Sequence, residues 1–512
     1  MRPLSERDPA SWGASARTWI VVIAALTALV VSSVRFDWVP LLRGPAPYPP
    51  EWQWRHRPRA LSRALPAVPW ALTLAGVLFW SGRPSARRRP RRTARVVIAS
   101  GLVLGGAFPL ALLESEDGGA VAYLVRRTAS PGYFSYHAVA SAESAPEVGR
   151  FLHDYPRLVR ALPVHAATHP PGPVLLFRAL IATLERWPGL RAPFDRLVLD
   201  ACGRDVEGCG LHLGVLPPAP RAATLAGALL LHLLAVATLL PIGWLAFQLT
   251  RDPLAAARTA ALWPLVPGAA LFVPALDPAL AFPIMAALAG LRAAWCAERG
   301  WARVLGVVLA AALGAIALYL SYGSGLFLVL GAAVVFATTP PFVRARAAGR
   351  LAAPTVAIAA IGTALVLLPA AIGHDPVASA RAALAVHGQG FTARRSYPLW
   401  LVFGPLDFAM FLGVPVALGL VAQVWRTFRS SPMAATPPAR LALVTIAALA
   451  VLFASGLVRG EVGRLFVPMM PLALLAGVLR LDDEPGPDAS TATTLALLLA
   501  ALDVMMRLNW RI

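Results

Sequence analysis

Apolar runs of about 18–26 residues recur along most of this chain, separated by short polar segments that carry arginine. A bilayer core needs roughly 20 apolar residues in a helix to cross it. The runs are continuous rather than alternating, which predicts membrane helices and not the strands of a β-barrel. Spans are expected near 18–35, 67–81, 94–113, 224–249, 255–275, 277–297, 303–320, 322–338, 352–371, 399–424, 440–457, 463–480 and 490–507. One further apolar stretch, Val174–Leu184, covers about 11 residues and is interrupted by Arg178. It is too short to span and is expected to lie along the membrane surface as an interfacial helix. The chain therefore reads as an all-α polytopic membrane protein with about 13 transmembrane helices and a large first outer loop, 114–223.

Composition agrees: 58% of the 512 residues are hydrophobic and only 14% are charged, too few to coat a soluble protein of this size. The net charge of +20 could suggest nucleic acid, but the arginines sit between apolar runs rather than on one soluble face. They read as topology signals, and no nucleic-acid partner is expected. Arg83, Arg87, Arg88, Arg89, Arg91, Arg92 and Arg95 crowd one loop, which is placed in the cytoplasm. Alternation from there puts Arg251, Arg303, Arg344, Arg346, Arg350, Arg426 and Arg429 on the same inner side. The first helix follows Arg2, Arg7 and Arg17 without a small-residue cleavage site, so it is expected to be an anchor. Cys202 and Cys209 share the outer loop; a disulfide and two separate thiols are equally open. The cysteines show no zinc-ligand spacing.

This topology collects polar residues on the outer face. Glu114, Glu116 and Asp117 follow the third span, and their loop closes with Thr168-His169-Pro170-Pro171-Gly172, with His165 just upstream. Asp277, Tyr322, His387, Arg394, Arg395 and Tyr397 belong to later outer segments, and Gly460-Glu461-Val462-Gly463-Arg464 to the last. A carboxylate at the mouth of a helix bundle can act as general base on a hydroxyl. Interfacial arginines can hold a phosphate by charge-assisted hydrogen bonds. Transfer of a sugar from a lipid-linked phosphate needs both, beside an apolar groove for the lipid. Tyr322-Gly323-Ser324-Gly325 is too short for a nucleotide P-loop, and no Walker, Rossmann or Ser-His-Asp signature occurs, which favours a lipid-linked donor.

A large outer loop with an acid near its start, ending in His-Pro-Pro before an apolar helix, resembles the GT-C membrane glycosyltransferases. That superfamily includes protein O-mannosyltransferases and the aminoarabinose transferases of lipid A. Gly460-Glu461-Val462-Gly463-Arg464, and His387 through Arg395-Ser396-Tyr397 with Trp400 and Asp407, add to the resemblance, which spans roughly 94–480. It implies a GT-C-like fold and a polyprenyl-phosphate sugar donor. The acceptor would be a lipid, glycan or protein hydroxyl, and the active site would face the exterior of a bacterial cytoplasmic membrane. By position it makes Asp117 the general base, with Glu116 and Glu114 behind it. His169, His165, Asp277, Tyr322, His387, Arg394, Arg395, Tyr397, Glu461 and Arg464 become substrate-binding, with Arg464 on the lipid phosphate. Some relatives use a divalent metal, but this chain has no compact ligand set. The family loop usually follows the first span and here follows the third. Residues 1–93 are therefore read as a two-helix extension, 94–480 as the catalytic region and 481–512 as a final helix.

Plainer roles stand beside these. Asp117 fits a solvated loop acid, His169 a residue fixed by the prolines, Asp277 a helix cap, and Glu461–Arg464 a self-contained helix pair. Arg394 and Arg395 fit snorkelling interfacial residues. Two other functions compete: movement of lipid-linked saccharides across the membrane, and a non-catalytic assembly subunit. The first would call for mid-membrane polar groups and an internal repeat, and no repeat is evident.

Overall fold

The computed structural model describes residues 16–142, 146–204, 213, 215–340, 347–390, 392–429, 437–479 and 486–512. It is almost wholly helical; in lipid a helix satisfies every backbone group within its own segment. Among the described residues, eight helices are long and apolar enough to cross a membrane, and a ninth crossing results if one sharply bent pair counts as a single span. This is a multi-pass membrane protein.

Burial sorts the helices. Of the apolar window in Leu276–Cys296, 83% is buried inside the protein, whereas none of that in Leu351–Ile372 is. The first is the centre of the bundle and the second faces outward. Leu276–Cys296 packs on Gly300–Leu320 through glycines. A Cβ on Gly306 would lie 2.6 Å from the Gly290 carbonyl oxygen, so only glycine allows the two backbones to approach this closely.

Several expected spans differ in form. The 255–275 segment is broken into Pro253–Ala261, Trp263–Leu265 and Pro267–Ala270. Pro264 and Pro267 lack the amide hydrogens that a continuous helix needs. The pieces are buried nonetheless, with Trp263 fully enclosed and its indole N–H donating to the Ala235 carbonyl at 2.7 Å. The 463–480 segment breaks likewise into Val462–Leu465, Val467–Met469 and Met470–Val478. The 399–424 segment bends by 114° between Leu412 and Val414. Gly413 sits there at φ +92°, where an added Cβ would lie 2.3 Å from Leu499. The 67–81 and 322–338 segments are the short helices Val68–Trp80 and Ser324–Ala337.

The stretch after His-Pro-Pro-Gly forms the helix Gly172–Arg186, longer than the apolar run itself. Val174, Phe177, Ile181 and Leu184 form its buried stripe at helical spacing. It packs on Pro218–Ala237, where Gly227 leaves room for the Phe177 ring.

Long-range contacts gather alternate helix ends. The segment 36–66 folds over one end: Arg57 and Arg59 donate backbone hydrogen bonds to the Asn509 and Leu508 carbonyls at 2.7 and 2.8 Å. Arg55–His56 pairs antiparallel with Trp510–Arg511. At the same end Arg35 donates to Asn509 Oδ1 at 2.9 Å. Cys202 is partly buried in Pro188–Arg204; Cys209 lies outside the described residues, and so does the question of their disulfide.

Candidate functional site

The site is built around Arg464. Gly460 at φ +101° and Glu461 at φ +53° turn the chain sharply into the short helix Val462–Leu465. A left-handed glutamate is uncommon and is held here by its surroundings. The Gly463 amide donates to the buried Asp407 carboxylate at 2.8 Å, and a Cβ on Gly463 would lie 2.2 Å from the Phe411 ring. The turn thereby aims Arg464 at two carboxylates. Its Nη1 lies 3.1 Å from Glu461 Oε1, its Nη2 donates to Glu461 Oε2 at 3.4 Å, and its Nε lies 3.5 Å from Asp277 Oδ2. The contact to Asp277 is ionic only, because Nε makes no hydrogen bond among the described residues. All three side chains are at most 17% exposed. One guanidinium faces two carboxylates.

The His-Pro-Pro-Gly turn packs beside this cluster. His169 Nδ1–H donates to the His165 carbonyl at 2.9 Å, which leaves Nε2 as an acceptor, and its ring meets Tyr136 edge-on at 5.4 Å. His165 Nε2–H donates to the Gly132 carbonyl at 3.2 Å. Burial, with Arg464 adding to it, pushes His165 down to about 3; burial likewise pushes His169 down to about 4. Both imidazoles are neutral at neutral pH. The Tyr155 hydroxyl donates to the His169 and Ala166 carbonyls at 2.8 and 3.0 Å and fixes the turn from below. Gly172 is dictated by space, since a Cβ there would lie 2.0 Å from the Tyr319 carbonyl oxygen. The buried Tyr319 and Tyr322 hydroxyls have no hydrogen-bond partner among the described residues.

Other predicted residues form the border. His387 Nε2–H donates to the Leu457 carbonyl at 3.1 Å, and its field reaches His169. Arg395 donates to the carbonyls of Pro50 and Arg459 and lies over the Trp52 ring at 5.7 Å. Tyr397 donates to the Ala454 carbonyl at 2.6 Å, with Arg459 over its ring. Arg394 is set apart and lines a separate cleft.

The first-loop acids occupy a different place. Asp117, 55% exposed, pairs with Arg57 at 3.0 Å and Arg63 at 2.9 Å. The hydrogen bond from Arg63 leads in holding its carboxyl below the usual range. Glu116 lies between Arg59 at 2.5 Å and Arg507 at 3.3 Å. Burial pushes Glu116 up, but the two guanidiniums overcome it and the net direction is down. Glu114 is exposed and folds over Gly119. No hydrogen bond or ion pair joins these acids to Arg464, Glu461 or Asp277 among the described residues.

Of the residues singled out by sequence pattern, Asp277, Glu461 and Arg464 meet directly, and the charge of Arg464 reaches His165 and His169. Sequence pattern missed Tyr136 and Glu51. The latter is buried and accepts from the Ser396 amide at 2.9 Å and the Trp400 indole at 2.7 Å. An acid amid the prolines and tryptophans of a basic loop was the available signal for Glu51; Tyr136 carried none. Among the described residues, no group of three or more His, Cys, Asp or Glu side chains is arranged to hold a metal ion. No family model matches this chain, and neither a curated protein nor a solved structure does.

Proposed function

We propose that this protein transfers a sugar from a polyprenyl-phosphate donor to an acceptor hydroxyl at the outer face of a bacterial cytoplasmic membrane. The observation that carries the reading is the Asp277–Arg464–Glu461 cluster beside two neutral histidines, assembled from three distant outer segments. The thirteen-pass topology belongs to the same proposal. It counts the eight long spans, the bent pair, three shorter apolar helices and the broken 253–275 segment. The alternation of helix ends supports it.

Geometry favours Asp277 over Asp117 as the base. Both Asp117 oxygens are engaged by arginines at an exposed position. Asp277 meets Arg464 through a single oxygen and lies in a sheltered site. Asp277 takes the acceptor proton, the acceptor oxygen attacks the anomeric carbon, and the bond from that carbon to phosphate oxygen breaks with inversion. His169 Nε2 can accept a hydrogen bond from a donor or acceptor hydroxyl. Arg464, already facing two carboxylates, holds the acids in place and is poorly suited to bind a phosphate.

The test is release of polyprenyl phosphate from a panel of polyprenyl-phosphate sugars by protein in nanodiscs. Asp277→Asn is expected to lower turnover at least about 10²-fold, the scale of general-base catalysis. Turnover unchanged in Asp277→Asn but abolished in Asp117→Asn would return the base to the first-loop acid. The absence of release with every donor would favour saccharide movement, for which Asp503 and Arg507, buried in the last span, are the polar groups to examine.

A further inference from the structure

A cleft of about 520 Å³ lies between the 159–161 turn and the C-terminal end of the helix Pro376–Gly390. Arg160, Ala385, Val386, Gln389, Gly390 and Arg394 line it. Two arginines and a glutamine are among its lining residues, and no carboxylate is. Arg160 and Arg394 are exposed, and neither side chain makes a hydrogen bond or ion pair among the described residues. This is the opposite of Arg464, whose charge is matched twice over. Two unpaired guanidiniums on a common cavity form an anion site, and their planar forks suit phosphate oxygens.

The surroundings define the rest of the ligand. The helix bearing Ala385 and Gln389 exposes Val377 and Leu384, at 55% and 59%. It follows the outward-facing span Leu351–Ile372, whose Leu368 and Ile372 are 66% and 56% exposed. An apolar, lipid-facing surface therefore leads up to a cationic cleft. We propose that the Arg160–Arg394 cleft binds the phosphate of an amphiphile, a phosphate ester carrying an apolar chain that runs along this exposed surface. The inference goes beyond the transfer reading, because this cleft is set apart from the Asp277–Arg464–Glu461 cluster. Binding itself is independent of that reading.

Full-length protein in detergent would be titrated calorimetrically with farnesyl phosphate, farnesol and inorganic phosphate. Farnesyl phosphate is expected to bind, with both other probes at least about tenfold weaker, one lacking the charge and the other the chain. Arg160→Gln and Arg394→Gln are each expected to weaken it about tenfold, the scale of a lost charge-assisted contact. Arg160→Lys and Arg394→Lys, which keep the charge, guard against loss of fold and should retain most of the affinity. Equal farnesyl phosphate affinity in wild type and the Arg160→Gln/Arg394→Gln double variant would overturn the proposal. Inorganic phosphate binding as tightly as farnesyl phosphate would overturn its amphiphile. Intact farnesyl phosphate binding with no sugar release from any donor would instead count against the transfer reading alone.

Discussion

Arg464 Nε stands 3.5 Å from Asp277 Oδ2, joining the start of the most buried span to the turn that opens the 462–478 segment. The same guanidinium holds Glu461, so two like charges share one cation in a sheltered site. Removing the cation leaves both carboxylates uncompensated. Arg464→Ala is expected to destabilise the protein by about 3–5 kcal/mol, the usual range for breaking a buried pair. Arg464→Lys should recover part of the loss. Thermal unfolding in detergent reads both, and an unchanged midpoint in Arg464→Ala would show that the cluster contributes nothing to the fold.

Acid should loosen the His-Pro-Pro-Gly turn. His165 and His169 lie below the ordinary histidine value of about 6.5, at about 3 and about 4. The unfolded chain therefore binds protons more readily than the folded one. The stability they contribute is complete above about pH 6.5 and is lost as the pH falls toward about 4. Unfolding temperature is expected to drop between pH 7 and pH 5, and less steeply in His169→Gln. Identical pH profiles in wild type and variant would remove His169 from this account.

Gly172 is required by contact rather than by conformation. A Cβ there would lie 2.0 Å from the Tyr319 carbonyl oxygen, whereas one on Gly189 would meet nothing within 4 Å. Gly172→Ala is expected to cost about 1–3 kcal/mol, the range for overpacking. Gly189→Ala should be neutral or slightly stabilising. Comparing their unfolding midpoints tests whether this turn is packed as described.

The two neighbouring acids of the first loop should behave differently. Asp117 forms exposed pairs, whose contribution is about 0–1 kcal/mol, so Asp117→Asn should hardly shift stability. Glu116 lies between Arg59 and the buried Arg507, and Glu116→Gln leaves those cations poorly compensated. A loss of about 3 kcal/mol is expected there. Equal effects of the two substitutions in a denaturation series would contradict the difference in burial.

Reporter fusions at residues 140 and 345 should fall on opposite sides of the membrane. Fusions on the same side would break the alternation on which the proposed outward-facing site depends.

The membrane class and helical architecture were legible in the sequence because lipid admits so few backbone solutions. A continuous apolar run of sufficient length has to be a helix, so hydropathy alone located most crossings. Helix form was less legible. Pro264, Pro267 and Pro468 break segments whose hydropathy is unbroken, and the protein interior around them, unlike lipid, can accommodate the breaks. His165, His169, Asp277, Glu461 and Arg464 each stood out in the sequence as polar residues at the edges of apolar runs. Their pairing was decided only by tertiary structure. Asp277 lies in the first turn of Leu276–Cys296 and Glu461 just before Val462–Leu465, and only the turn at Gly460 and Glu461 brings Arg464 against both acids. The same holds for Asp117 and Glu116, whose arginine partners come from residues 57–63 and from Arg507. Local pattern states which residues are polar and which runs are apolar enough to cross. Which charge meets which is settled by packing between segments far apart in the chain.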